Sequence, residues 1–138
     1  MARLRRDGFA AMESGNTSSG VLTTAPVNFA PDRVDLFVNF VGAVSVDVLD
    51  AMSLKSLLGP SELLTGDAVT AQVAWEGVSA PLAAFARAGQ ALRFRFTLGA
   101  ATQLYAFWPA RDGCGASLGF LGGGGPGAPD GFDSNGRC

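Results

Sequence analysis

In the stretch ALRFRFTL, residues 91–98, Leu92, Phe94, Phe96 and Leu98 stand at every second position, with Arg93, Arg95 and Thr97 between them. Successive side chains of an extended strand point to opposite faces, so this spacing makes one apolar face and one polar face. A helix cannot sort these residues that way, because its faces repeat every three to four positions. Similar segments recur along the chain at the roughly 8–12-residue spacing of all-β folds. They are GFAAME (8–13), VLTTAPVNF (21–29), VDLFVNF (34–40), AVSVDVLD (43–50), VTAQVAW (69–75), ALRFRFTL itself and TQLYAFW (102–108).

Several features of these segments set expectations for pairing. Pro26 cannot donate to a ladder, so VLTTAPVNF belongs at a sheet edge or breaks in the middle. Val34, Leu36, Val38 and Phe40 share one face, as do Val44, Val46 and Val48; Gly42 between the two runs predicts a hairpin turn. In MSLKSLLGPSELLTGD (52–67) the period of two is lost and Gly59-Pro60 interrupts, which predicts a long connection crossing between sheets. Val69, Ala71, Val73 and Trp75 are expected inward. In the last segment Leu104, Ala106 and Trp108 should face one way, Tyr105 and Phe107 the other. EGVSAPLAAFARAG (76–89) suits a helical turn or a packed loop. Together these give an all-β expectation: a two-sheet antiparallel β-sandwich, jelly-roll or concanavalin-like, over residues 1–109. A Gly/Pro-rich irregular tail follows over 110–138.

Composition then removes whole classes of chemistry. The chain of 138 residues has no histidine, so neither a Ser-His-Asp or Cys-His nucleophile system nor a His-containing zinc site can be built. No cofactor is expected. Lys55 is the single lysine among ten basic residues, which are scattered in a chain of net charge −2; with no basic patch, nucleic acid is not an expected partner. No apolar run reaches the roughly 18 residues of a membrane-crossing helix, and Met1–Arg6 leads into no signal segment. A membrane is not expected as a partner either. Cys114 and Cys138, the two cysteines, can form one bridge closing the tail, with two free thiols the favoured reading in a chain without a secretory signal.

GGGGPG (122–127) lacks the Lys-Ser/Thr ending of a phosphate-binding loop and follows no strand–helix pattern. Asp47, Glu62, Asp67 and Glu76 are the carboxylates available for glycoside chemistry, which needs two flanking one bond; Gly66-Asp67 and Glu76-Gly77 read instead as solvated turns. Trp75, Tyr105 and Trp108 are the candidate carbohydrate-binding residues, since aromatic rings stack on sugars, with core packing as the competing role. Arg93 and Arg95 can pair with Asp35 or Asp47 across strands or grip an acidic ligand.

Taken in order, LRRDGFAAMESG, GVLTTAPVNFAPDRVDLFVNF, VSVDVLDA, GDAVTAQVAWEG, GQALRFRFTL and LYAFW resemble the C-terminal β-sandwich of glycoside hydrolase family 32-like (invertase/fructosidase-like) proteins. The matching features are Arg5 to Phe9, Leu22 to Thr24, Val38 to Phe40, Val46 to Asp50, Gly66-Asp67, Trp75, Leu92 to Phe96 and Leu104-Tyr105. In that family a five-bladed β-propeller upstream carries the catalytic carboxylates, and RRDGF resembles the joint after it. The resemblance therefore implies a non-catalytic accessory domain with no catalytic residue of its own, packing against and stabilising a propeller. An independent carbohydrate-binding module with a polysaccharide partner is the alternative.

Overall fold

A computed structural model of the chain describes residues 10–116, which form seven strands and one short helix. The strands are β1 (Met12–Glu13), β2 (Gly20–Thr23), β3 (Asp35–Asp50), β4 (Ser56–Pro60), β5 (Leu64–Val73), β6 (Leu92–Leu98) and β7 (Gln103–Ala110); α1 spans Ala83–Ala88. The all-β class is as expected. All seven strands belong to one antiparallel sheet in the order β1-β7-β3-β6-β2, with β4 and β5 also paired to β3.

The centre of the fold is β3. The hairpin expected at Gly42 does not form: VDLFVNF and AVSVDVLD are one continuous 16-residue strand. Along one side of β3 run β5, from Leu36↔Val73 to Val44↔Leu64, and then β4, from Asp47↔Pro60 to Leu49↔Ser56. Along the other run β7, opposite Asp35–Val41, and β6, opposite Val44–Asp50. The segment 52–67 is thus a partner of β3 rather than a crossing between sheets. The hairpin turn lies at Asp50–Lys55, where Asp50 N–H donates to the Lys55 carbonyl at 2.9 Å. Asp50 Oδ1 also accepts from the Ser53 amide at 2.8 Å and from the Ser53 hydroxyl at 2.8 Å.

All three tracks crease at one level. Gly42 sits opposite Gly66, and both adopt positive φ, +110° and +116°. On the other side the crease falls in the Gly99–Thr102 link between β6 and β7, where Ala101 has φ +52°. Bending there folds one half-sheet onto the other. Trp75 and Gly59 are 16 residues apart on the β4–β5 track, roughly 50 Å if extended, yet Trp75 Nε1 donates to the Gly59 carbonyl at 2.9 Å. The two layers are therefore halves of one curled sheet, in the way bent strands make the corners of orthogonal packings.

The core fills the fold. Leu36, Val38 and Phe40 from one half meet Val44, Val46, Val48, Phe94 and Phe96 from the other, all essentially inaccessible. Phe107 bridges the halves, with ring centroids 5.6 Å from Phe94 and 5.1 Å from Phe96. Two bulges alter the expected facing. On β5, Val38 pairs with Ala71 and Phe40 with Ala68, so an extra residue slips in and Ala68 rather than Val69 turns to the core. On β7, Asn39 pairs with Ala106 and Phe40 with Leu104. Tyr105 is the extra residue there, which puts Leu104 and Phe107 inside together and leaves Ala106 and Trp108 on the opposite face.

That opposite face carries a smaller cluster of Phe37, Trp108 and Ala110. Phe37 and Trp108 stack at 5.8 Å, and Trp108 Nε1 donates to the Gly115 carbonyl at 3.0 Å. The sheet thus runs to Ala110, and the chain directly after it folds back onto Phe37. The helix α1 ends at Gly89 (φ +63°), whose N–H reaches the Ala86 carbonyl, and its N-cap Leu82 is fully buried against the core. The expected break near Pro26 is present: β2 ends at Thr23, and only the bridge Val27↔Leu92 continues its path. RRDGF and GGGGPG lie outside the described residues.

Candidate functional site

The candidate carboxylates lie on separate elements. Asp47 accepts from Arg95 Nη2 at 2.7 Å and from the Ser56 hydroxyl at 2.7 Å. Asp47 and Arg95 are direct cross-strand partners, so the pairing expected for Arg95 is present. Arg93 instead donates to the carbonyls of Ala51 at 3.1 Å and Thr24 at 2.8 Å. Asp67 stands within β5 opposite Val41, not in a turn before it, because β5 begins at Leu64. Glu76 does lie in a turn, closed by Val78 N–H to the Trp75 carbonyl. Glu62 lies between β4 and β5. Among the described residues no group of three His, Cys, Asp or Glu could hold a metal.

Two perturbed acids flank the sheet. Asp50, gripped by the Ser53 amide and hydroxyl and by Gln90, has its pKa lowered to about 2. Asp35 is shifted upward, mainly by desolvation, with Asp112 adding repulsion and the Gln72 amide, 3.3 Å away, opposing both. Arg33, two residues before β3, is buried with Nε and Nη1 lacking hydrogen-bond partners among the described residues; Nη1 is 3.9 Å from Asp32, which Arg111 holds at 2.8 Å.

The three candidate sugar-stacking residues are not brought together. Trp75 is 4% exposed and Trp108 1% exposed, each with its indole N–H satisfied internally, so both are core residues. Tyr105 is half-buried at the β7 bulge, where its hydroxyl donates to Gln103 Oε1 at 2.6 Å. Cys114 is disulfide-bonded, so the bridged alternative holds for it rather than the favoured free thiol; Cys138 lies outside the described residues.

What the sequence does not announce is a seam. The connection from β1 to β2 is anchored at the crease by a buried polar cluster. Ser14 N–H donates to the Thr102 carbonyl at 3.0 Å, Thr102 N–H to Ser14 Oγ at 2.9 Å, and Ala43 N–H to Thr102 Oγ1 at 2.9 Å. From this anchor β1 follows β7 on one half-sheet and β2 follows β6 on the other. Among the described residues the gap between them is a groove of about 250 Å³ lined by Met12, Leu22, Leu104, Tyr105, Ala106 and Phe107. Leu22, Leu104 and Phe107 also belong to the core, so the groove reaches the interior from the surface. Comparison with protein-family models, curated proteins and solved structures found no match to the chain.

Proposed function

We propose that this chain is a non-catalytic accessory β domain of a glycoside-hydrolase-like protein, whose task is to pack against and stabilise an upstream β-propeller. The observation that supports the reading is the seam, where core side chains meet the surface and Met12, which lines it, stands 55% exposed. Apolar surface of this kind is what a domain offers to a neighbour in the same polypeptide, where interfaces typically bury about 600–1,500 Å². The binding-module alternative is weakened by the loss of Trp75 and Trp108 to the core.

The test is a denaturing blot of cells that make the protein, probed with an antibody against this domain. A band well above the 14.1 kDa of the chain, carrying propeller peptides in its digest, is the expected result. A band at 14.1 kDa with no propeller co-purifying would overturn the reading.

A further inference from the structure

The bend between β1 and β2 reads Asn16-Thr17-Ser18, an asparagine followed two places on by a hydroxyl residue, with no proline between them. That spacing is the acceptor pattern for N-linked glycosylation, which takes place on the side-chain amide of an accessible loop. The chain has four asparagines, and two places after the other three, Asn28, Asn39 and Asn135, stand Ala30, Val41 and Arg137. The one match falls where the fold can present it. Ser18 N–H donates to the Gly15 carbonyl at 3.4 Å, so residues 15–18 make a turn with Asn16 and Thr17 at its centre. Every residue from Gly15 to Ser19 is exposed.

The turn is held from beneath. The Gly15 carbonyl also accepts from the Ala101 amide at 2.9 Å, and Ser14, only 6% exposed, is locked to Thr102. The acceptor is thus displayed on a fixed base. Asparagine and serine also favour plain solvated turns, which is the competing role of these residues. A second observation, independent of the turn, separates the two: Cys114 is disulfide-bonded. Disulfides form and persist in the oxidising compartments through which exported proteins pass, and N-linked glycans belong to the surface loops of such proteins. The bridge and the acceptor pattern point to one compartment. A glycan on Asn16 stands at the crease end of the β1–β2 connection and, being bulky and solubilising, keeps that end of the domain in water.

We propose that Asn16 is an N-glycosylation site. A transferase of the exporting compartment joins the Asn16 side-chain nitrogen to the anomeric carbon of an oligosaccharide carried on a lipid diphosphate. The N–C bond forms, the C–O bond to the diphosphate breaks, the diphosphate leaves with that electron pair, and the amide nitrogen gives up one proton. The proposal goes beyond the accessory-domain reading and does not depend on it. The test is mass spectrometry of the Asn16 peptide from the full chain, isolated from the cells that make it, before and after a peptide N-glycanase in heavy-oxygen water. The expected result is a peptide carrying hexose and N-acetylhexosamine increments before treatment, and one with position 16 converted to heavy-oxygen aspartate after it. Asn16→Gln and Ser18→Ala, made in the same cells, should lose the increment completely, while Ser18→Thr keeps it. Both lie in an exposed turn, so their urea midpoints should match wild type. A bare Asn16 amide in the isolated chain would overturn the proposal and leave a solvated turn. So would an increment that survives Asn16→Gln or Ser18→Ala, which would place the sugar on a hydroxyl. The blot turns on propeller peptides in the band, so either idea can fail without the other.

Discussion

The crease at Gly42 makes a quantitative prediction, because Gly66 supplies its own control. Both glycines have φ near +110°, a region that L-residues enter only with strain of about 1–3 kcal/mol. A methyl group at Gly66 would have nothing within 4 Å, whereas one at Gly42 would lie 2.8 Å from Thr102 Cα and collide with Thr102 Oγ1. Gly66→Ala thus carries the torsional cost alone. Gly42→Ala adds an overpacking cost of about 1–3 kcal/mol, against a backbone atom that cannot rotate away. Urea unfolding of the two variants, with m unchanged so that midpoints report stability, should place Gly42→Ala below Gly66→Ala by that margin. Trimming Thr102 to Ala in the Gly42→Ala background should recover little of it, since Cα remains and the Ala43 N–H loses its Oγ1 acceptor. Equal midpoints for Gly42→Ala and Gly66→Ala would refute the idea that the crossing at Thr102, rather than local backbone geometry, fixes the glycine.

Arg33→Met should leave stability unchanged or raise it by up to about 1–4 kcal/mol, as replacing a poorly paired buried charge does; a loss in urea melts would show that the guanidinium is supported after all. Trp75→Ala should cost about 3–5 kcal/mol, and Trp75 and Trp108 emission should resist acrylamide quenching, which a surface sugar platform would not. The two shifted acids should act oppositely with pH. Asp50, about 2 when folded against 3.8 unperturbed, contributes stability present above the unperturbed value and lost as pH falls toward 2. The advantage of wild type over Asp50→Asn should shrink across that window. Asp35, shifted upward, weighs against folding while ionised, so Asp35→Asn should be at least as stable as wild type at pH 7, with the gap closing on acidification.

The strand ALRFRFTL was legible because nothing interrupts its alternation, and Leu92, Phe94, Phe96 and Leu98 all lie in the core. Gly42 reads as a turn in the sequence because a glycine between two apolar runs signals either a reversal or a positive-φ crease within one strand. Only the partner Gly66 and the neighbour Thr102 decide between them. In 52–67, Gly59 with φ +76° and Gly66 break the period of two at the places where the track bends, so a strand pair reads as a connection. The bulges at β5 and at Tyr105 each shift the facing by one, which moved Ala68 and Phe107 inward against the pattern. The groove was invisible because Met12, Leu22 and Phe107 come from distant segments. The burial of Trp75, by contrast, follows from its place in an alternating segment, whereas Trp108 is buried on the face opposite Leu104, against Phe37, which the alternation does not show.

The single sheet also governs how the chain reaches its native state. The β3–β4–β5 track closes through the short Asp50–Lys55 turn, so its contacts can zip up locally. The opposite track cannot: Val46 waits for Phe96, and Phe37 for Trp108, partners far along the sequence. Such non-local pairing slows folding, and until it occurs the apolar flank of β3 stands uncovered. Mutations in β6 and β7 should therefore act mainly on the unfolding rate, and those at the Asp50 turn on the folding rate, a division that stopped-flow chevrons of Phe96→Leu and Asp50→Ala can read. With its ladders on both flanks, β3 is the template on which the rest of the molecule is assembled in time as well as in space.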